Sequence, residues 1–326
     1  MQLALSYERL LPLSTTISVT YIFSRADRLL RTRNINAPIA GVLPIPASGN
    51  IFQYESTGRF EQDQILLNFR STISKRISVF GNYAFGGARS DTDGAGTFPA
   101  SQYDLSGEYG ASLSDIRHRI VFGGNFKAPL GFAFSPFLTF RSGIPFNITT
   151  GTDLNGDTLF TDRPSFAIGP SEPGTIATRF GLLDPTPEPG DTIIPRNFGR
   201  GPQFFVANLR IVKEFTFGGK GGKKSSKAVQ SSGDDRNRTG TNNPFGGGGG
   251  GKPAMGADSD DESPFKLQFS VQIRNILNNT NGGTPVGNLS SPLFGQSVSL
   301  ASGFGFGGGR QSGGNRRLRF EVRFSF

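Results

Sequence analysis

The chain has 326 residues and a net charge of +9, with only 18% charged and 35% hydrophobic residues, 46 Gly, 31 Phe, no Trp and no Cys. That is a thin apolar supply for a globular core of this length, and the missing cysteines exclude a disulfide framework, thiol catalysis and cysteine metal sites. No apolar run reaches the length of a membrane-crossing helix, and no basic helix, zinc spacing or aromatic RNA-binding signature makes nucleic acid the partner of the positive charge.

Period-two alternation, the mark of strands with two different faces, begins almost at once with Leu3-Ala4-Leu5-Ser6-Tyr7. Ile17, Val19, Tyr21 and Phe23 follow, with Thr16, Ser18 and Thr20 opposite. Ile65, Leu67 and Phe69 mark a third strand, Ile77, Val79, Tyr83 and Phe85 a fourth, and Ile120, Phe122 and Phe126 a fifth. Phe132, Phe134, Leu138 and Phe140 make the sixth, and Phe205, Leu209, Ile211, Phe215 and Phe217 the seventh. Phe265, Leu267, Phe269, Val271 and Ile273 make the eighth. The ninth is R-R-L-R-F-E-V-R-F-S-F, where Leu318, Phe320, Val322, Phe324 and Phe326 share one parity and Arg317, Arg319, Glu321, Arg323 and Ser325 the other.

Strands of about ten residues exceed the five or six usual in soluble sheets and suit a tilted strand crossing a bilayer. Their second parity is Ser, Thr, Asn, Gln, Arg and Lys, as a polar lumen requires, although a two-sheet sandwich also alternates. The connections favour the barrel. Leu11-Pro12-Leu13, Thr72-Ile73-Ser74-Lys75 and Ala128-Pro129-Leu130-Gly131 read as tight turns, and between them lie long segments at 25–58, 87–115, 143–203 and 276–314. Short periplasmic turns alternating with long external loops are the outer-membrane pattern.

The expected fold is therefore all-β: a partial antiparallel transmembrane β-barrel of about nine long strands with long external loops. An odd count puts the first strand's start on the external side, whereas single-chain barrels have even counts and no edges. Residues 1–326 are accordingly expected to be the C-terminal part of a larger barrel, and Met1–Leu10 lacks the pattern of a secretory signal. One segment departs from the alternation. Residues 218–264, on the short-turn side, contain K-G-G-K-K-S-S-K, six consecutive glycines and D-S-D-D-E, and read as a disordered Gly/Lys-rich insertion.

Several stretches resemble one family: N-I-F-Q-Y-E-S-T-G-R-F (50–60), D-I-R-H-R-I-V-F-G-G (115–124), S-G-I-P-F-N-I-T-T-G-T-D-L-N-G-D-T-L-F-T-D-R-P (142–164) and G-T-P-V-G-N-L-S-S-P-L-F-G-Q (283–296). Together they look like the C-terminal barrel of Oar-like TonB-dependent receptors. The resemblance implies an outer-membrane location and a barrel that admits bulky substrates when a plug is moved by the TonB complex. It also implies lipid, lipopolysaccharide and the barrel-assembly machinery as partners. A terminal phenylalanine resembles the assembly signature of such barrels, which would give Phe320, Val322, Phe324 and Phe326 that role.

No catalytic group and no cofactor are expected. His118 is the only histidine and sits between Arg117 and Arg119 at a strand start, without an evident nucleophile, so a structural or interfacial role is favoured. Asp153, Asn155 and Asp157 resemble the oxygen-rich start of a calcium loop. Thr158 and Pro164, however, stand where an EF-hand has Gly and Glu, and an Asx-type turn with Asp162 pairing to Arg163 is the plainer reading. Gly251-Lys252 ends a formal phosphate-loop pattern, but Pro253 replaces the required hydroxyl. Tyr21, Tyr83 and Phe85 fit an interfacial girdle, and Phe160, Phe166 and Phe198 are candidates for carbohydrate stacking. Segment 143–203 is the favoured substrate loop. The alternative function is a soluble or surface-attached β-rich adhesion module that binds polysaccharide.

Overall fold

The computed structural model describes residues 1–217, 265–302 and 314–325. Nine long strands run β1 Gln2–Leu11, β2 Thr15–Asn34, β3 Phe52–Ser74, β4 Ile77–Ser90, β5 His118–Ala128, β6 Phe132–Arg141, β7 Phe204–Phe217, β8 Phe265–Arg274 and β9 Arg317–Ser325. They form one antiparallel sheet in chain order, with β1 and β9 at its edges and the two-residue strand Gly110–Ala111 added beside the end of β4. Among the described residues no helix is long and apolar enough to cross a membrane; the long elements are strands.

The pairing register sorts the side chains into two faces, because directly opposed residues of an antiparallel pair point the same way. Val19, Leu67 and Tyr83 fall in one row across β2–β4, and Ile211, Val271 and Phe320 in another across β7–β9. These belong to the apolar face. Phe320 and Val322 are 73% and 61% exposed there, so nothing among the described residues covers them. The opposite face is polar: Ser6 bonds Thr20 at 2.8 Å, Asn68 donates to Ser18 at 3.3 Å, and Asn82 donates to Asn68 at 2.5 Å.

Glycine permits two close ring contacts on opposite faces of the sheet. Gly81 of β4 lies opposite Phe69 on one side and Phe122 on the other, and a Cβ there would collide with the Phe69 ring. The two rings approach to 6.1 Å across that gap. On the polar face Gly123 makes the same room for Phe80. Pro136 has no N–H to donate, and the β5–β6 ladder skips Gly124 and Asn125 where it would pair.

Connections alternate as the sequence suggests. Pro12–Ser14, Lys75–Arg76 and Pro129–Gly131 are tight, whereas 35–51, 91–117, 142–203 and 275–316 are long and share one end of the sheet. The expected insertion 218–264 and Phe326 lie outside the described residues.

One expectation needs correcting. Segment 25–58 is not all loop: β2 and β3 are 20 and 23 residues long and stay paired from Arg25–Glu61 out to Asn34–Phe52. Apolar alternation stops where lipid contact would stop, but the backbone ladder does not need it. A bulge at Asp27–Leu30, with Arg28 at a φ of 61°, reorients this extension into the loop layer.

Candidate functional site

The four long connections fold on one another into a layer with its own core. Phe146, Ile148, Leu183, Ile194 and Leu289 are buried together, and Ile176, Phe180, Phe198 and Phe294 pack around them. Segment 145–150 runs beside 286–289: Thr149 donates to Gly287 O and Leu289 donates back to Thr149 O, both at 2.9 Å. A Cβ on Gly287 would strike the Asn147 carbonyl, so only glycine permits that approach. Within 142–203, short strands at Ser165–Phe166, Ile176–Thr178 and Gly181–Asp184 form a small sheet. Ala301, from the connection after β8, packs on Phe204 and Val206, which lie on the polar parity of β7.

Charge ties these loops to the strand extension. Arg31 of β2 pairs with Asp91 at 2.8 Å, and Arg163 pairs with Glu108 at 2.8 Å. Arg196 pairs with Asp93, which also accepts from Asn197 at 2.9 Å, and Arg200 pairs with Asp115. Burial lowers the proton affinity of the Arg196 guanidinium, and its acidic neighbours Asp93 and Glu108 oppose that effect. A second junction contains no cation: Gln102 accepts from Asn34 N and donates to Asp157 Oδ2, both at 2.8 Å, joining the end of β2 to two loops.

Asp153, Asn155 and Asp157 turn inward on their own backbone. Asp153 accepts from the N–H groups of Asp157 and Thr158 at 3.1 and 2.8 Å. Asn155 accepts from Asp157 N at 3.0 Å, and Asp157 accepts from Leu159 N at 2.8 Å. Among the described residues no group of three or more His, Cys, Asp or Glu is placed to hold a metal ion. Asp162 does not pair with Arg163, as sequence proximity suggests. It accepts from Leu154 N at 3.0 Å, while Arg163 reaches across to Glu108. Burial pushes the Asp162 carboxyl up to about 6, with Asp157 and Asp153 adding to the effect.

The remaining candidates lie apart. His118 meets Tyr83 Oη through Nδ1 at 2.9 Å and packs against the rings of Tyr83 and Phe85 at the loop end of the apolar face. Tyr21 donates to Asp63 at 2.5 Å nearby. Phe160 is 63% exposed, Phe166 rests edge-on against Phe198 at 5.3 Å, and Phe198 belongs to the packing of the layer. On β9, Phe320, Val322 and Phe324 stand on the apolar face, with Phe324 stacked near Phe217 and Phe265 at 6.2 and 6.1 Å. The buried ion pairs escaped sequence reading because their partners are far apart in the chain and match no local motif.

A family model described as "Outer membrane beta barrel domain" matches residues 1–223. Among solved structures, the outer membrane transporter YddB from Escherichia coli is similar at 10% identity and a TM-score of 0.46, over 99% of this chain and 32% of that one. The chain thus spans about a third of that transporter's length. No curated protein matches.

Proposed function

The chain belongs to the outer membrane β-barrel domain family, and from that premise we propose that it forms part of the wall of a TonB-dependent receptor whose external loops capture a substrate. Its apolar face meets outer-membrane lipid, since a chain of this family crosses the outer membrane through its strands. The observation that supports a capturing role is the loop layer. Free loops need no core, whereas this one buries Phe146, Ile148 and Leu183 and holds Arg163 against Glu108. Such internal bracing keeps a large external surface in one shape, which lowers the ordering cost of binding. Segment 142–203 is the longest of these connections, and Phe160 and Ile168 stand exposed on it.

On this reading the protein acts without catalysis, with lipopolysaccharide and the barrel-assembly machinery as partners and a plug moved by TonB in the intact receptor. The test is recovery of the full-length protein from outer-membrane extracts by the purified periplasmic domain of TonB. Failure to recover it, while another TonB-dependent receptor is recovered in parallel, overturns the TonB dependence.

A further inference from the structure

We propose that the inward face of β7–β9 is an oxyanion-binding wall, so that the solute this barrel takes is anionic. The proposal rests on the reading of the polar parity as a lumen. On that parity lie Arg210, Lys266, Arg274, Arg317, Arg319 and Arg323, against two acids, Glu214 and Glu321. Arg274 and Arg317 are directly opposed, and Arg319 faces Gln272, which in turn faces Arg210. Four arginines thus occupy two successive rows.

Like charges directly opposite in a sheet are destabilising, and a water-lined wall does not need them. Up to the bulge in β2, the same parity of β1–β4 carries one cation, Arg70, and one acid, Glu8, and is otherwise served by neutral groups such as the pairs Ser6 with Thr20 and Asn68 with Asn82. The cations are therefore gathered on one part of the wall. Among the described residues Arg323 alone of the six forms an ion pair, with Glu321 at 3.4 Å and both side chains largely exposed. Arg274, Arg317 and Arg319 are exposed, and no described residue takes up their guanidinium donors. A second opposed pair, Arg119 and Arg141, stands on the same parity near the loop end of β5 and β6. Walls of one sign concentrate counter-ions, and the planar guanidinium fork fits carboxylate, phosphate or sulfate oxygens two at a time.

Fluorescent dextran sulfate and neutral dextran of the same length, titrated against the full chain in detergent micelles, test this. Dextran sulfate is expected to bind in a salt-sensitive manner and neutral dextran not to bind. R274Q/R319Q should weaken binding by about tenfold or more, R274K/R319K should restore much of it, and R59Q/R89Q, outside the inward wall, should leave it unchanged. Salt-insensitive binding, equal binding of neutral dextran, or unchanged affinity in R274Q/R319Q overturns the proposal. A separate arm checks the lumen. In proteoliposomes Arg319→Cys should react with a water-soluble maleimide and Phe320→Cys should not. Equal labelling defeats the lumen reading itself, whereas the expected labelling with unchanged affinity defeats only the anion wall.

Discussion

Arg163 Nη1 lies 2.8 Å from Glu108 Oε1, with the two side chains 4% and 3% exposed, and so fastens the connection after β6 to the connection after β4. Two charges this deep are held at a desolvation cost that only their mutual contact and further hydrogen bonds offset. Arg163 adds one such bond, to Gly107 O at 3.0 Å. The pair therefore works as a latch, and its loss is asymmetric.

Removing one partner leaves the other buried without its main counter-charge: Glu108 would keep only the longer contact to Arg196 at 3.9 Å and the Ala100 N–H, and Arg163 would keep only its bond to Gly107 O. Glu108→Gln or Arg163→Met is expected to destabilise the loop layer by about 3–5 kcal/mol, and the double variant by less than either single one. Limited proteolysis within 142–203 reads this out, while heat-modifiable gel migration should show the strands still assembled. Equal protease resistance in all variants would remove the latch.

Asp162 predicts a pH dependence. Its folded pKa is raised to about 6 from 3.8, so the folded state holds the proton more tightly than the unfolded chain. Its contribution is most favourable below pH 3.8, declines as pH rises from there to about 6, and is level above that. Asp162→Asn can still accept from Leu154 N and should remove that decline. The stability gap between variant and wild type then grows across this window, to on the order of 3 kcal/mol at most. Thermal unfolding of the loop layer at several pH values measures it, and a gap that does not change with pH contradicts it.

The faces of β9 predict opposite tolerances. Phe320→Lys puts a cation on the lipid side and should cost about 2–4 kcal/mol if it sits at the midplane, whereas Arg319→Gln should leave barrel stability near wild type. Urea unfolding in vesicles compares them. Deletion of Phe326 from the full-length protein should impair insertion, as counted by the yield of heat-modifiable protein in the outer membrane.

Gly81 predicts a packing requirement. Valine at this position must share the space filled by Phe69, whose ring faces Phe122 across the glycine. Gly81→Val should therefore destabilise the sheet by about 1–3 kcal/mol. Gly81→Val combined with Phe69→Ala should recover part of that loss, and no recovery would point to a backbone cause instead.

The strands, their parity and the end of the sheet that gathers the long loops were legible from sequence, because a pleated strand between lipid and water writes its two environments into alternate residues. Val322 and Arg323 announce opposite solvents with no knowledge of any neighbour. What the tertiary structure alone decided is where that code falls silent. Arg31 and Arg33 look like loop residues, yet their strand continues to Asn34, because backbone pairing persists after lipid contact ends. Asp162 stands next to Arg163 in the chain, but Arg163 is claimed by Glu108 from another loop. Partner choice among buried charges depends on which segments pack together, and that is a property of the assembled loop layer, with no local pattern to record it.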